Sequence, residues 1–255
     1  MHGTIDSEAG GTVTELGNNL LRALRPADAA ILNPLLHPWT GQRGEILYEP
    51  GDTVTEVYFP CGPAMISYLV VLQEGRTAET ALVGREGAVG GIVSHGRLPA
   101  FARAEVQFPG PFLRMSIAEL EVAKQRSPTL EYLFARYADC MMAQIFQAVA
   151  CNAAHTIEQR TAKWLLAAME RTGAPMIPLT QEQLAAMLGV GRSYISRVIA
   201  SFKRRGILAT RRGALAVTDL DQLRHIACGC NESVRQHFEE VLSGVYPSED
   251  ELLVA

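Results

Sequence analysis

The sequence predicts an α+β chain: an antiparallel β module first, then a long helix, then a winged helix-turn-helix. Three observations predict it. Between Gly44 and Ser116, short runs rich in Val, Ile, Tyr and Phe alternate with turn residues. Strand-like runs punctuated every roughly eight to twelve residues are the texture of an all-β sandwich or barrel. After Ser127 the apolar residues recur at three- and four-residue spacing for about six helical turns. From Leu179 to Gly206, LTQEQLAAMLGVGRSYISRVIASFKRRG spells two short helices around a tight turn.

The elements follow in order. Residues 1–18 are polar and Gly-rich and read as a mobile N-terminus. Asn19 to Leu36 reads as one or two short helices, with Pro26 and Pro34 as breakers. The strand-like runs are EILY, EVYF, MISYLVVL, TAETALV, ARAEVQF and FLRMS, with a hairpin loop at Gln73-Glu74-Gly75-Arg76. Ser116 and Glu119 make a capping box that opens a short helix to about Arg126. Ser127 as N-cap and Pro128 at the first position open the long helix. Leu130, Phe134, Tyr137, Met141, Ile145 and Ala148 form one apolar stripe on it, and Leu133, Cys140, Phe146 and Val149 widen it. A helix apolar over more than one face must be buried on more than one side. Packing against the same helix of a second copy, with that stripe as the seam, is the economical explanation. A core helix within one chain is the alternative. His155 to Arg171 reads as a further helix, ended by Thr172-Gly173-Ala174-Pro175. The resulting divisions are 1–18, a β domain over 19–126, the dimerisation helix over 127–152, a DNA-binding domain over 153–230, and a C-terminal helix and acidic tail over 231–255.

The chain has 255 residues, 48% of them hydrophobic, enough to bury a core. No apolar run approaches the roughly eighteen residues of a membrane span, so no membrane partner is expected. MHGTIDSEAG has no apolar segment of a secretory signal. Five cysteines, an odd number, suit a reducing cytoplasm better than a disulfide framework. Net charge is −4, yet Gln183 to Thr218 holds no Asp or Glu and seven Arg or Lys. An acidic chain with one purely basic segment implies a localised polyanion site. A solvated helix face, the bland alternative, interleaves both signs. No nucleophile elbow, P-loop, HExxH or GxGxxG in context is present, so no enzyme is expected.

Within the basic segment, Thr180 and Gln183 form a second capping box. Gly189 sits where the first helix must stop and turn, small Ala185 precedes it by four residues, and Ile195 follows by six. That spacing lets two helices pack closely. The first turns of a recognition helix face base edges. The candidates for DNA contact are therefore Thr180, Gln181, Arg192, Ser193, Tyr194, Ser196, Arg197 and Lys203. Two short strands around Arg211-Arg212-Gly213 read as a wing that sets Arg211 and Arg212 against phosphates.

The order of these modules resembles the Crp/Fnr superfamily of bacterial transcription regulators. The marks are Tyr48-Glu49-Pro50-Gly51-Asp52, Val57-Tyr58-Phe59, Gly84-Arg85-Glu86-Gly87, then Asn152, His155 and Arg160 through Trp164-Leu165-Leu166, and the helix-turn-helix with its wing. The resemblance implies a jelly-roll-like β-roll, a homodimer joined along the long helix, a palindromic operator in double-stranded DNA, and RNA polymerase as a further partner. The family's recognition helix often carries Arg-Glu-x-x-x-Arg. Arg192 and Arg197 keep that spacing, but Ser193 stands where Glu would, so the family's usual half-site does not carry over.

Family members commonly bind cyclic AMP through Gly-Glu-Leu followed by Arg-Ser/Thr-Ala. In GREGAVGGIVSHGRLPAFARAEVQ, Glu86 falls near the Glu position, the Arg slot holds Ala100 or Phe101, and Arg97 and Arg103 lie out of register. A buried phosphate would lack its guanidinium. The sequence therefore reads as a regulator not controlled by cyclic AMP, needing no cofactor, with Glu86, Arg97 and Arg103 lining any pocket for an unknown effector. A ligand-gated regulator of the same architecture and a scaffold that has lost DNA contact are the alternatives. No cysteine precedes Cys61, so the iron–sulfur cluster of the oxygen-sensing branch is not expected, and His37 and His95 are lone histidines that do not make a haem site. Cys228-Gly229-Cys230 lacks a second ligand pair at zinc spacing and reads as packing cysteines. Cys151 and His155, four apart, read as a hinge between domains, and no metal is expected.

Overall fold

The computed structural model describes residues 17–73, 77–94, 99–172, 175–243 and 245. The expected mobile N-terminus falls almost wholly outside that range. So do most of the Gln73–Arg76 loop, His95, Arg97, Gly173, Ala174 and the acidic tail.

Two short helices, α1 (Asn19–Arg22) and α2 (Pro26–Leu32), and a 3-10 turn over Asn33–Leu35 lead into a β-roll. Its strands are β1 (His37–Gly41), β2 (Ile46–Tyr48), β3 (Glu56–Pro60), β4 (Met65–Val71), β5 (Thr77–Val83), β6 (Arg103–Phe108) and β7 (Gly110–Ser116). They form two antiparallel sheets, ordered β1-β7-β3 and β2-β6-β4-β5. Ile66, Val83, Ala104, Val106 and Phe112 fill the space between them. Six of the seven strands coincide with the runs read from sequence; β1, HPWTG, does not. A strand that is short, carries Pro38 and, among the described residues, pairs only with β7 gives no alternating signal. Packing of the Trp39 ring against Tyr58 and Phe112 holds it in place.

Helix α3 (Ile117–Arg126) opens on the capping box of Ser116 and Glu119. Helix α4 (Pro128–Ala154) follows and runs 27 residues. Its N-cap differs from the expected one: Ser127 makes no side-chain cap bond. Its hydroxyl instead donates to buried Asp28, which also accepts from Thr129 Oγ1 at 2.6 Å. Asp28 thus ties α2 to the start of the long helix. Asp28→Ala removes the acceptor of two buried hydroxyls, of which one can then donate to the other across 2.8 Å but not both, and is expected to cost about 2 kcal/mol. A urea-unfolding midpoint that does not move would show the two hydroxyls have other acceptors.

The C-terminal part comprises α5 (Ile157–Thr172), β8 (Met176–Ile177), α6 (Gln181–Met187), α7 (Arg192–Arg204), β9 (Leu208–Arg211), β10 (Ala214–Val217), α8 (Leu220–Ile226) and α9 (Cys230–Ser243). The small sheet β8-β10-β9 carries the wing. Its core of Leu165, Leu184, Ile195, Ile199 and Phe202 is continuous with Met65, Leu82 and Phe108 of the roll. Polar contacts fix the docking: Trp164 Nε1 donates to Glu79 at 2.9 Å, Arg171 pairs with Glu86 at 3.0 Å, and Arg43 donates to Gln183 at 2.7 Å. Helix α9 runs back antiparallel to α4, with Cys230 beside Gln147, the Phe238 ring edge-on to Tyr137, and Arg136 donating to the Val241 carbonyl.

The apolar stripe expected to face a second copy faces inward instead. Leu130, Phe134 and Tyr137 are buried within the chain's own core, and Met141 packs against it. Tyr137 donates to the Ala88 carbonyl at 3.1 Å and accepts from the Ala88 N–H at 3.0 Å. A Cβ at Gly87 would lie 2.0 Å from that hydroxyl, so only glycine fits there. Ala148 is half-buried; of the six, Ile145 alone is exposed. The helix is apolar on two sides, and spacing alone does not say which side the β-roll takes. The outward side carries Ala135, Asp139, Met142, Phe146, Val149 and Ala153. Their alternating four- and three-residue steps are those of a coiled-coil seam. Met142, Phe146 and Val149 are 49%, 66% and 63% exposed.

Candidate nucleic-acid interface

Helix α6 begins at Thr180, whose hydroxyl accepts from the Gln183 N–H at 3.2 Å while Gln183 Oε1 accepts from the Thr180 N–H at 3.0 Å. It ends in a Schellman motif: Val190 N–H bonds to the Ala185 carbonyl and Gly189 N–H to the Ala186 carbonyl, at 3.0 and 3.1 Å. Gly189 adopts φ 66°, which a side chain would strain. The turn throws α7 across α6. Ile195, Val198, Ile199 and Phe202 bury its inner face, and Ala185 is buried beneath.

The opposite face of α7 is open. Arg192, Ser193, Tyr194 and Arg197 are exposed on its first two turns, and Lys203 is exposed on its last. The Arg197 guanidinium lies 4.8 Å from the Tyr194 ring centroid, a stacked arrangement that reduces the freedom of both side chains. Arg192 reaches Glu182 only at 3.9 Å, with both groups largely in solvent, so the pair holds it weakly. Ser196 donates to Gln181 at 2.9 Å. Gln181 and Ser196 therefore brace α6 against α7, and the exposed Thr180 caps α6. In the wing, β9 and β10 pair Arg211 with Ala214, so Arg211 and Arg212 stand exposed at the hairpin tip.

The expected effector residues do not converge. Arg103 is bound to Glu49 at 2.9 Å, Glu86 is bound to Arg171, and Arg97 lies outside the described residues. Glu86 does line a cavity of about 900 Å³, shared by Glu79, Gln144, Asn152, Trp164 and Arg171. Burial pushes the Glu79 carboxyl up from its ordinary range, against the hydrogen bonds from Ser67 and Trp164. Burial acts on Glu86 in the same direction, but the Arg171 guanidinium and the Gly84 N–H hold its carboxyl below the usual range. The cysteine readings also change. The two ligand pairs that looked incomplete in sequence, Cys151 with His155 and Cys228 with Cys230, lie together at the junction of α4, α5 and α9. Among the described residues no helix is long and apolar enough to cross a membrane.

A family model described as the Crp-like helix-turn-helix domain matches residues 159–226. The chain carries a Crp-like helix-turn-helix domain. The whole fold agrees with it. FixK2 from Bradyrhizobium japonicum is similar with a TM-score of 0.64 at 18% identity, over 76% of this chain and 98% of that one. The c-di-GMP responsive global regulator CLP of Xanthomonas campestris is similar at 0.63 and 14%, over 76% and 100%. A CRP-family transcriptional regulator from Thermus thermophilus is similar at 0.63 and 19%, over 74% and 96%. A comparison with curated protein sequences finds no match. The fold is that of Crp/Fnr transcription regulators, and the open face of α7 and the wing belong to its Crp-like domain.

Sequence reasoning leaves Met142 out of the apolar surface of α4 and names Val149 only as widening it. Arg160 is singled out there only as a mark of the resemblance; the structure adds that its Nη2 donates to the Leu188 carbonyl at 2.8 Å and fastens α5 to the end of α6. Nothing in a local window reveals that contact, because the partner is 28 residues away.

Proposed function

We propose that the protein is a sequence-specific, DNA-binding transcription regulator that acts as a homodimer on a palindromic operator without cyclic AMP. The observation that carries this reading is the exposed face formed by Arg192, Ser193, Tyr194 and Arg197 on α7, with Arg211 and Arg212 on the wing, all within a segment, Gln183 to Thr218, that holds no Asp or Glu. A helix presented in this way enters the major groove with its first turns toward base edges. Arg192 and Arg197 can each bond guanine O6 and N7, and Ser193 accepts a wider choice of base than Glu would. Lys203, Arg211 and Arg212 supply phosphate contacts. Two copies joined along the outward seam of α4 would set two such helices about one DNA turn apart. RNA polymerase is then the partner through which a bound dimer acts. Independence from cyclic AMP is supported by the engagement of Glu86 with Arg171 and of Arg103 with Glu49, which leaves neither free for a sugar or a cyclic phosphate.

The test is retention of genomic DNA fragments by the purified, ligand-free protein, followed by sequencing. Enrichment of one palindromic motif is the expected result. Retention no better than random DNA would overturn the ligand-free reading. Arg197→Ala is expected to weaken the recovered operator by ~1–3 kcal/mol while leaving random DNA nearly unchanged; equal weakening of both would make Arg197 a phosphate contact.

A second reading, a small-ligand-gated regulator of the same fold, is favoured by the cavity of about 900 Å³ between the roll, α4, α5 and α9, a size that suits a small organic ligand. Its mark would be an operator bound only after a metabolite extract is added.

A further inference from the structure

Four side chains from three separate segments meet where the long helix gives way to the DNA-binding domain. Cys151 is buried on the last turn of α4, and His155 is its C-cap. Cys228 and Cys230 are buried at the passage from α8 to α9. Cys151 Sγ lies 3.6 Å from Cys228 Sγ, and Cys230 Sγ lies 3.5 Å from His155 Nδ1. All four ligand atoms fall within 4.8 Å of one another.

These separations identify the kind of occupant. A tetrahedral ion with metal–sulfur bonds of about 2.3 Å and metal–nitrogen bonds of about 2.0–2.1 Å has sulfur–sulfur edges of about 3.8 Å and sulfur–nitrogen edges of about 3.6 Å. The two close pairs already stand at nearly those distances. A disulfide needs its sulfurs at about 2.05 Å and has no use for the imidazole. An iron–sulfur cluster spreads its ligands over several irons, farther than this 4.8 Å grouping.

The surroundings fit a thiolate site as well. Gln147 Nε2 donates to Cys230 Sγ at 3.1 Å, the type of second contact that orients a ligand. The Arg160 guanidinium lies within electrostatic reach of Cys151 and Cys228. Three thiolates and a neutral imidazole around a divalent ion leave one net negative charge, which that cation offsets.

We propose that Cys151, His155, Cys228 and Cys230 form a closed, four-ligand site for a thiophilic divalent ion of the Zn²⁺ class, which clamps α9 and the DNA-binding domain to the end of the long helix. On binding, the ion displaces the protons of three thiols, which pass to solvent, and no electron is transferred. With four protein ligands no position is open to substrate, so the site is structural. Through Arg160, which also holds the Leu188 carbonyl, the clamp abuts the end of the first helix of the helix-turn-helix. The site rests on its own geometry and stands whether or not the protein reads DNA.

The test uses the reduced, full-length protein stripped with a chelator and titrated with Co²⁺. The expected result is saturation at one ion per chain, with an intense sulfur-to-cobalt charge-transfer band and the visible bands of tetrahedral Co²⁺, both abolished by Zn²⁺. Cys228→Ser and His155→Ala should each lower Zn²⁺ affinity by more than the roughly 10–100-fold typical of second-contact changes, and Gln147→Leu should fall within that range. Cys61→Ser, in the core of the β-roll, should leave the Co²⁺ spectrum unchanged. Wild-type protein that shows no thiolate–cobalt band at saturating ion overturns the proposal, whatever the variants do. So does recovery of Cys151 and Cys228 only as a disulfide after reduction.

Discussion

Phe146→Glu is expected to convert the proposed dimer to a monomer while the chain stays folded. Phe146 is the most exposed large apolar residue of α4, and it lies near the centre of the outward row from Ala135 to Ala153. In a two-fold seam each substituted chain would bury a carboxylate opposite its own copy, with no cation to meet it. An uncompensated charge of that kind costs about 3–5 kcal/mol. At 4 kcal/mol the dimerisation constant falls roughly a thousandfold. Operator affinity falls with it, because a monomer reads one half-site. Analytical ultracentrifugation reads the mass and circular dichroism reads the fold. A Phe146→Glu protein that still sediments as a dimer would place the interface elsewhere. Tyr137→Glu is the useful contrast. Its hydroxyl is bonded to both polar groups of Ala88 inside the core, so it should lose the fold and not only the dimer.

The second large effect is the dependence of DNA binding on salt. In the proposed dimer, the exposed Lys203, Arg211 and Arg212 of each protomer would bring six cations to the phosphates of one operator. At roughly 0.9 counterions released per neutralised phosphate, log K against log salt should have a slope of about −5. Between about 50 and 200 mM salt the affinity should then drop on the order of 10³-fold. Arg212→Ala removes two of the six contacts, one per protomer. It should flatten the slope by about 2 and weaken operator and random DNA alike. A slope unchanged by Arg212→Ala would mean that the wing does not reach the backbone. Together with Arg197→Ala the pair separates positioning from reading: one variant alters salt dependence, the other alters sequence preference.

Much of the molecule is legible one segment at a time. The helix-turn-helix is the clearest case. The capping box at Thr180, the φ > 0 requirement at Gly189 and the small residue at Ala185 are all local, and all hold in the structure. Capping, turning and period are decided within a few residues. The same holds for Ser116 and for six of the seven roll strands. The β1 strand escapes because Pro38 and a single pairing partner leave no alternation to read.

What the sequence by itself determined is the module order, the helix-turn-helix with its wing, and the basic segment free of acids. These depend on neighbours three or four residues apart and on charge, which burial does not redistribute. The tertiary structure alone decided which side of α4 points outward, because both sides are apolar and only docking of the roll and α9 occupies one of them. It alone separated Glu86 from Arg103, since each found a closer partner of opposite charge. It alone brought Cys151 to Cys228 across 77 residues. Each cysteine pair is incomplete as a ligand set in its own segment, and a metal site depends on the distance between side chains and not on their spacing along the chain.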